Sequence, residues 1–158
     1  MNQVSHPDVS MSITFAAVVP EDFESLVALR IEAMRESLER IGRFDPARAR
    51  ERFSSGFSPE DTRHIIWEGK RVGFVVVKRR DGEFLLDHLY IKPSAQGRGI
   101  GALVLAHVFA QAAVAAVSIR VSALRESASN RFYARHGFEL VERSEFDNYY
   151  LRANPGTP

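Results

Sequence analysis

The sequence predicts an α/β domain of the α+β type: a mixed, mostly antiparallel sheet of six to seven strands flanked by about four helices. Three observations carry this. β-rich runs joined by short turns fill the middle of the chain, which is the mark of antiparallel hairpins. After the glycine-rich stretch "QGRGIG", helical and strand patterns alternate, which calls for a crossover and hence a mixed sheet. The chain has 158 residues, 45% of them hydrophobic and 26% charged, enough for one domain with a sizeable core and too few for two.

The first element is the strand "ITFAAVV", Ile13 to Val19. In the following "PEDFESLVALRIEAMRESLER", Phe23, Leu26, Val27, Ile31, Met34 and Leu38 fall at helical spacing, with a proline near the first turn. Asp45 and Pro46 form a cap and first-turn pair, so a second helix begins there and ends near Ser54 to Gly56. The strands "RHIIWEG" and "RVGFVVVKRR" come next, separated by a Gly-Lys turn, and "DGEFLLDHLYIKP" follows an Asp-Gly turn, making a three-stranded antiparallel meander. A third helix runs from Gly101 to about Val117, succeeded by the strand "SIRVSAL", the short helix "ASNRFYARH", and the strands "FELVER" and "FDNYYLR". Residues 13–152 read as a single domain, with residues 1–12 and 153–158 as tails. Lys78, Arg79, Arg80 and Arg48, Arg50, Arg52 are interleaved with acids and are expected on solvated faces.

Composition narrows the function. With 21 basic and 20 acidic residues the formal charge is +1, which leaves no excess field to hold a polyanion, so nucleic acid is not an expected partner. There is no cysteine, which removes disulfides, thiolate zinc sites and a cysteine nucleophile, leaves no metal site expected and fits a reducing cytoplasm. The first dozen residues lack the basic start and apolar core of a secretion signal. The apolar run Ala102 to Val117 is shorter than the roughly 20 residues of a membrane helix and carries His107 and Gln111, so a core helix is expected and no membrane partner.

The glycines of "KPSAQGRGIG" stand between a strand and a helix. A helix start exposes unpaired N–H groups and the positive end of the macrodipole, and glycine lets an anion such as phosphate approach them. Gly97, Gly99 and Ala102 fit a G-x-G-x-x-A dinucleotide loop. Against that, the loop lies late in the chain, no acid near position 120 could hold a ribose, and only about a third of the chain follows, too little for the rest of a dinucleotide fold. No Gly-Lys-Ser or Gly-Lys-Thr follows, which excludes a P-loop.

Gln96-Gly97-Arg98-Gly99-Ile100-Gly101 resembles the Q-x-x-G-x-G acyl-CoA loop of the GNAT superfamily of N-acyltransferases, and "NRFYARHGFELVER" resembles that family's C-terminal block. The resemblance extends over about residues 13 to 152. It implies an N-acetyltransferase that uses acetyl-CoA as co-substrate, with the central strand splayed from its neighbour at a bulge. By the same resemblance, backbone groups of Leu89, Tyr90 and Ile91 line the pantetheine and polarise the thioester carbonyl, and the N–H groups of Gln96 through Gly101 take the pyrophosphate. Arg98 either adds a charged contact there or points to solvent. Tyr133 matches the family tyrosine near the CoA sulfur, and a phenol with a reference pKa of about 10 stays protonated at neutral pH and can protonate a departing thiolate.

Two departures from the family pattern matter. The family's asparagine lies about seven residues before the tyrosine, where this chain has Glu126; Asn130, three before, is a cofactor ligand or a helix-start residue. The family's glutamate, eleven residues before the loop glutamine, is replaced by Leu85, which leaves Asp87 and His88 as candidate bases, with a water chain as the alternative. Strand alternation sends Asp87 and His88 to opposite faces. An imidazole, with an unperturbed pKa near 6.5, suits proton removal at neutral pH.

The acceptor is expected to be a primary amine, most simply of a small molecule, attacked directly in a ternary complex. "ESLERIGRFDP" and the last strand, with Glu145, Asp147, Tyr149 and Tyr150, are expected to wall it. A protein N-terminus or lysine as acceptor, or a non-catalytic acyl-CoA binding or sensing module, are the alternatives. Monomer and homodimer are both open.

Overall fold

Asp45 shows how closely local chemistry is followed. Its carboxylate accepts from the Arg48 N–H at 3.1 Å, Pro46 occupies the first turn, and the helix they start ends at Ser55. A computed structural model describes residues 12–154. The expected tails fall outside them except for Ser12, Ala153 and Asn154.

The strands are β1 (Ile13–Ala17), β2 (Thr62–Trp67), β3 (Lys70–Arg80), β4 (Glu83–Ile91), β5 (Ile119–Leu124), β6 (Glu139–Arg143) and β7 (Asp147–Arg152). The helices are α1 (Phe23–Arg40), α2 (Pro46–Ser55), α3 (Ile100–Ala115) and α4 (Ser129–Arg135). The element order is the one read from the sequence. The strands form a seven-stranded sheet in the order β1-β2-β3-β4-β5-β7-β6. Pairs β1–β2, β5–β7 and β6–β7 are antiparallel, and β4–β5 is parallel. Two-residue connections make β2, β3 and β4 antiparallel hairpins. Both turns have positive φ at each residue, 52° and 76° at Glu68-Gly69 and again 52° and 76° at Asp81-Gly82, the type I′ geometry that matches strand twist. The first turn is thus Glu68-Gly69 and not the Gly-Lys pair expected, because Lys70 is already the first residue of β3.

The chain divides into two compact units through which β3 and β4 both run. One holds the described residues up to Val75 with Leu89–Val104, the other Val76–His88 with the described residues from Leu105 on. In the first, α1 and α2 bury Leu26, Val27, Leu29 and Phe53, together with Ile65 and Phe74 of the sheet. Phe53 stacks on Phe23 with centroids 5.7 Å apart and meets Phe74 edge-on at 5.5 Å, so its burial contributes about 2–3 kcal/mol. In the second, Leu105, Val108 and Ala112 make one buried stripe of α3, and Ile119, Val121 and Ala123 are the inward residues of β5. Beyond β7 the Asn154 N–H donates to Ser118 Oγ at 3.1 Å. No helix of the described residues is long and apolar enough to cross a membrane.

Candidate active site

In the first unit, the end of β4 and the glycine loop form one continuous structure. The Lys92 N–H donates to Val72 O at 2.8 Å, carrying the β3–β4 pairing one residue past β4, and Pro93–Ala95 then makes a single 3-10 turn anchored by the buried Ala95. Gln96 Nε2 donates back to Ile91 O at 2.9 Å, tying the loop to the strand end. Gly97 and Gly99 follow with φ of 78° and 80°, in the left-handed region where any other residue is strained. Helix α3 opens at Ile100, itself buried, and its first backbone bond runs from the Leu103 N–H to Gly99 O at 3.2 Å. The N–H groups of Ile100, Gly101 and Ala102 therefore precede any acceptor within the helix, and the exposed Gln96 to Gly99 segment gives access to them. Arg98 lies over the Trp67 ring, 5.2 Å from its centroid.

Leu89, Tyr90 and Ile91 are half-buried. Sequence reasoning missed the residue facing them, Gly73 of β3. A Cβ there would overlap the Tyr90 carbonyl oxygen and lie 3.2 Å from Ile91 Cα. The two strands therefore approach here more closely than any side chain at position 73 would allow. A glycine inside the strand run "RVGFVVV" was the available signal of such an approach.

In the second unit, β4 pairs with β5 only through Phe84↔Ile119, Leu85↔Arg120 and Leu86↔Val121. Directly after that register ends come Asp87 and His88. Their side chains do not part as alternation predicts: His88 Nε2 lies 3.8 Å from Asp87 Oδ2. Lys78 Nζ pairs with the same carboxylate oxygen at 3.2 Å. Lys78 is 8% exposed, so it does not belong to the solvated face expected for it, unlike the exposed Arg79 and Arg80. Its signal was its place at the end of the apolar run "FVVVK", in step with the inward Val76.

Tyr133 sits on α4, 5% exposed, edge-on to Phe138 at 5.4 Å and beside Phe132 and Tyr150. Asn130 is the hub of that corner. Its Nδ2 donates to Leu124 O and Ser127 O, both at 2.9 Å, and its Oδ1 accepts from Tyr150 Oη at 2.7 Å and Asn148 Nδ2 at 2.8 Å. Both donors and both lone pairs of the amide are thereby committed to the protein. Glu126 stands exposed with φ of 70°. Of the residues expected to wall an acceptor, Tyr150 is buried and bonded to Asn130, Tyr149 Oη donates weakly to Ser144 Oγ at 3.5 Å, Asp147 is half-buried and Glu145 is exposed. Leu89 to Ile91 and Gln96 to Gly101 thus share the first unit, and Asp87, His88, Asn130 and Tyr133 the second.

A sequence profile described as an acetyltransferase (GNAT) domain matches residues 60–140, just over half of the chain. No curated protein sequence matches it. Among solved structures, the chain is similar to a PaiA N-acetyltransferase of Thermoplasma acidophilum in complex with coenzyme A, with TM-score 0.69 and 19% identity over 90% of this chain and 99% of that one. It is similar to an acetyltransferase of Thermus thermophilus, with TM-score 0.68 and 18% identity over 90% of this chain and 97% of that one. An N-acetylglutamate synthase of Neisseria gonorrhoeae, complexed with coenzyme A and N-acetyl-glutamate, matches with TM-score 0.64 and 15% identity over 90% of this chain and 35% of its own. At such identities the likeness concerns the fold alone.

Proposed function

We propose that this chain, which belongs to the GNAT family of acetyltransferases, moves an acetyl group from acetyl-CoA to the primary amine of a small molecule by direct attack in a ternary complex. The loop carries the reading: two left-handed glycines, a glutamine locking the loop to β4, and a helix start whose N–H groups await an acceptor. Such a helix start suits a pyrophosphate. The backbone N–H groups from Gly97 to Gly101 hold it, the Gln96 N–H being spent on Pro93 O at 3.3 Å, and Arg98, kept over Trp67, adds a charge beside it.

The close approach of Tyr90 O to Gly73 supports the next step, since it marks a departure from regular pairing where a backbone N–H can serve a thioester oxygen. Leu89, Tyr90 and Ile91 line the pantetheine. His88 takes the proton of the attacking ammonium, directly or through water, while Asp87 favours the resulting imidazolium and is itself oriented by Lys78. The neutral amine attacks the carbonyl carbon, the tetrahedral oxyanion collapses with cleavage of the C–S bond, the CoA thiolate leaves with a proton from Tyr133, and the second proton of the new amide nitrogen restores the phenol, directly or through water. Asn130 acts as the brace that sets α4, and so Tyr133, against β5 and β7.

The test is CoA release from acetyl-CoA with a panel of small amines and peptides, for wild type, Gly99→Glu and Tyr133→Phe. Small amines should release CoA. Gly99→Glu, which sets a carboxylate in the phosphate's place and a side chain at φ of 80°, should fold and lose acetyl-CoA affinity by about 100-fold or more in calorimetry. Tyr133→Phe should lower turnover with affinity kept. Acetyl-CoA binding without turnover on any amine overturns the reading in favour of a sensor.

A further inference from the structure

Arg30 occupies a core position of α1. It follows Leu26 by four residues and Val27 by three, on the face that packs inward, and is 8% exposed. Its Nη1 donates to Ala49 O of α2 at 2.8 Å. Its charge lies 5.9 Å from the centroid of the Tyr90 ring, at the outer limit of a cation–π contact. Nε is buried and has no partner. Among the described residues, no carboxylate makes an ion pair with the group.

An interior arginine without a counter-charge is rare, because one carbonyl and a distant ring offset only part of the desolvation of the cation. Leucine or methionine would pack the same seam without that cost. What the arginine supplies instead is a fork. Nη1 is fixed by Ala49 O, so the guanidinium is oriented before anything binds, and its remaining side-on edge, Nε with Nη2, matches the two oxygens of a carboxylate. Tyr90, on which the cation rests, belongs to the stretch of β4 assigned above to the thioester. An anion on Arg30 therefore belongs to a molecule at that strand.

We infer that the acceptor is an amine that also bears a carboxylate, an amino acid or a compound of that class, and that Arg30 binds the carboxylate through Nε and Nη2. The amine half of this rests on the acetyltransferase reading; the carboxylate half does not.

The experiment uses amines that differ only in the carboxylate: alanine and ethylamine, phenylalanine and phenethylamine, ornithine and 1,4-diaminobutane. Binding is read by saturation-transfer resonance on the whole protein and turnover by CoA release. In at least one pair the carboxylated member should have a KM lower by about 30-fold. Arg30→Met should remove that difference, with kcat, acetyl-CoA affinity and the KM of the bare amine nearly unchanged and a melting temperature no lower than wild type. Should Arg30→Met not fold, Arg30→Lys keeps the charge, loses the fork and is read by the same ratio. Equal binding of both members in every pair, or a preference that survives the substitution, overturns the inference. If no amine releases CoA while carboxylates still bind in an Arg30-dependent way, the acetyltransferase reading falls and the carboxylate site stands. If CoA is released without any carboxylate preference, the reverse holds.

Discussion

Among the described residues, two histidines stand beside an aspartate, in different units and in different ways. His64 Nε2 lies 2.9 Å from Asp22 Oδ2, within hydrogen-bond reach, with side chains 3% and 15% exposed. His88 Nε2 lies 3.8 Å from Asp87 Oδ2, beyond it, with side chains 18% and 32% exposed. Asp22 also accepts the Val19 N–H at 3.0 Å and faces Arg71 at 3.6 Å, so its oxygens are saturated by the fold. Asp87 instead shares its carboxylate with Lys78. The difference teaches that an acid beside a histidine is not by itself catalytic machinery. The tight, dry pair holds one arrangement and joins the turn before α1 to β2, whereas the looser, wetter pair leaves an imidazole room to exchange a proton.

Breaking the tight pair should have the largest effect. His64→Ala removes a buried side chain and its hydrogen bond to Asp22, leaving the carboxylate only the Val19 N–H and Arg71, which should cost about 3 kcal/mol. Urea unfolding measures it, and acetyl-CoA affinity at a temperature where the variant is folded should match wild type. A variant as stable as wild type would erase the distinction between the pairs.

His88→Gln should do the opposite. Stability should fall less than in His64→Ala, because the His88 side chain is more exposed and its aspartate contact longer, while turnover at saturating substrates should fall by about 100-fold. The pH profile sharpens the point: a rise in rate with pH that depends on this side chain should be present in wild type and absent in the variant. An unchanged rate would move proton removal to a water chain.

Much of this was legible in the sequence, and the reasons divide along one line. Helix starts, hairpins and the glycine loop follow from short-range chemistry: Asp45 before Pro46, Asp81 before Gly82, Gly97 and Gly99 at left-handed positions. Each needs only its neighbours. What sequence reading lost depends on a partner far along the chain or on where a side chain's tip ends. Alternation parts Asp87 from His88 because it fixes where each side chain leaves the backbone and not where its tip ends, and the tips lie 3.8 Å apart. Lys78 was read as solvated because its partner, Asp87, lies on another strand. Arg30 was passed over because helical periodicity counts apolar residues, although an arginine in step with Leu26 and Val27 was visible as an interruption of the seam.

The smallest expected effect tests the tight pair by acid. The Asp22 carboxyl is held below its ordinary value first by the hydrogen bond from His64, then by the Val19 N–H; partial burial opposes this, and the charges of His64 and Arg71 add to it. A carboxyl depressed in the folded state binds fewer protons there than in the unfolded chain. It therefore contributes stability above the ordinary carboxylate range, and that contribution is lost as pH falls through the folded value. Stability should decline below about pH 4, and Asp22→Asn, which has no proton to take up, should show a shallower decline. Glu24 supplies the contrast within the same unit: its carboxyl is also held low, by the hydrogen bond from Arg50, but both partners stand in water, where such a pair contributes little. Glu24→Gln should leave the acid limb as it was, and His88→Gln likewise. If the Glu24 variant flattened the limb as much as the Asp22 variant, burial would not be what separates a structural pair from a decorative one.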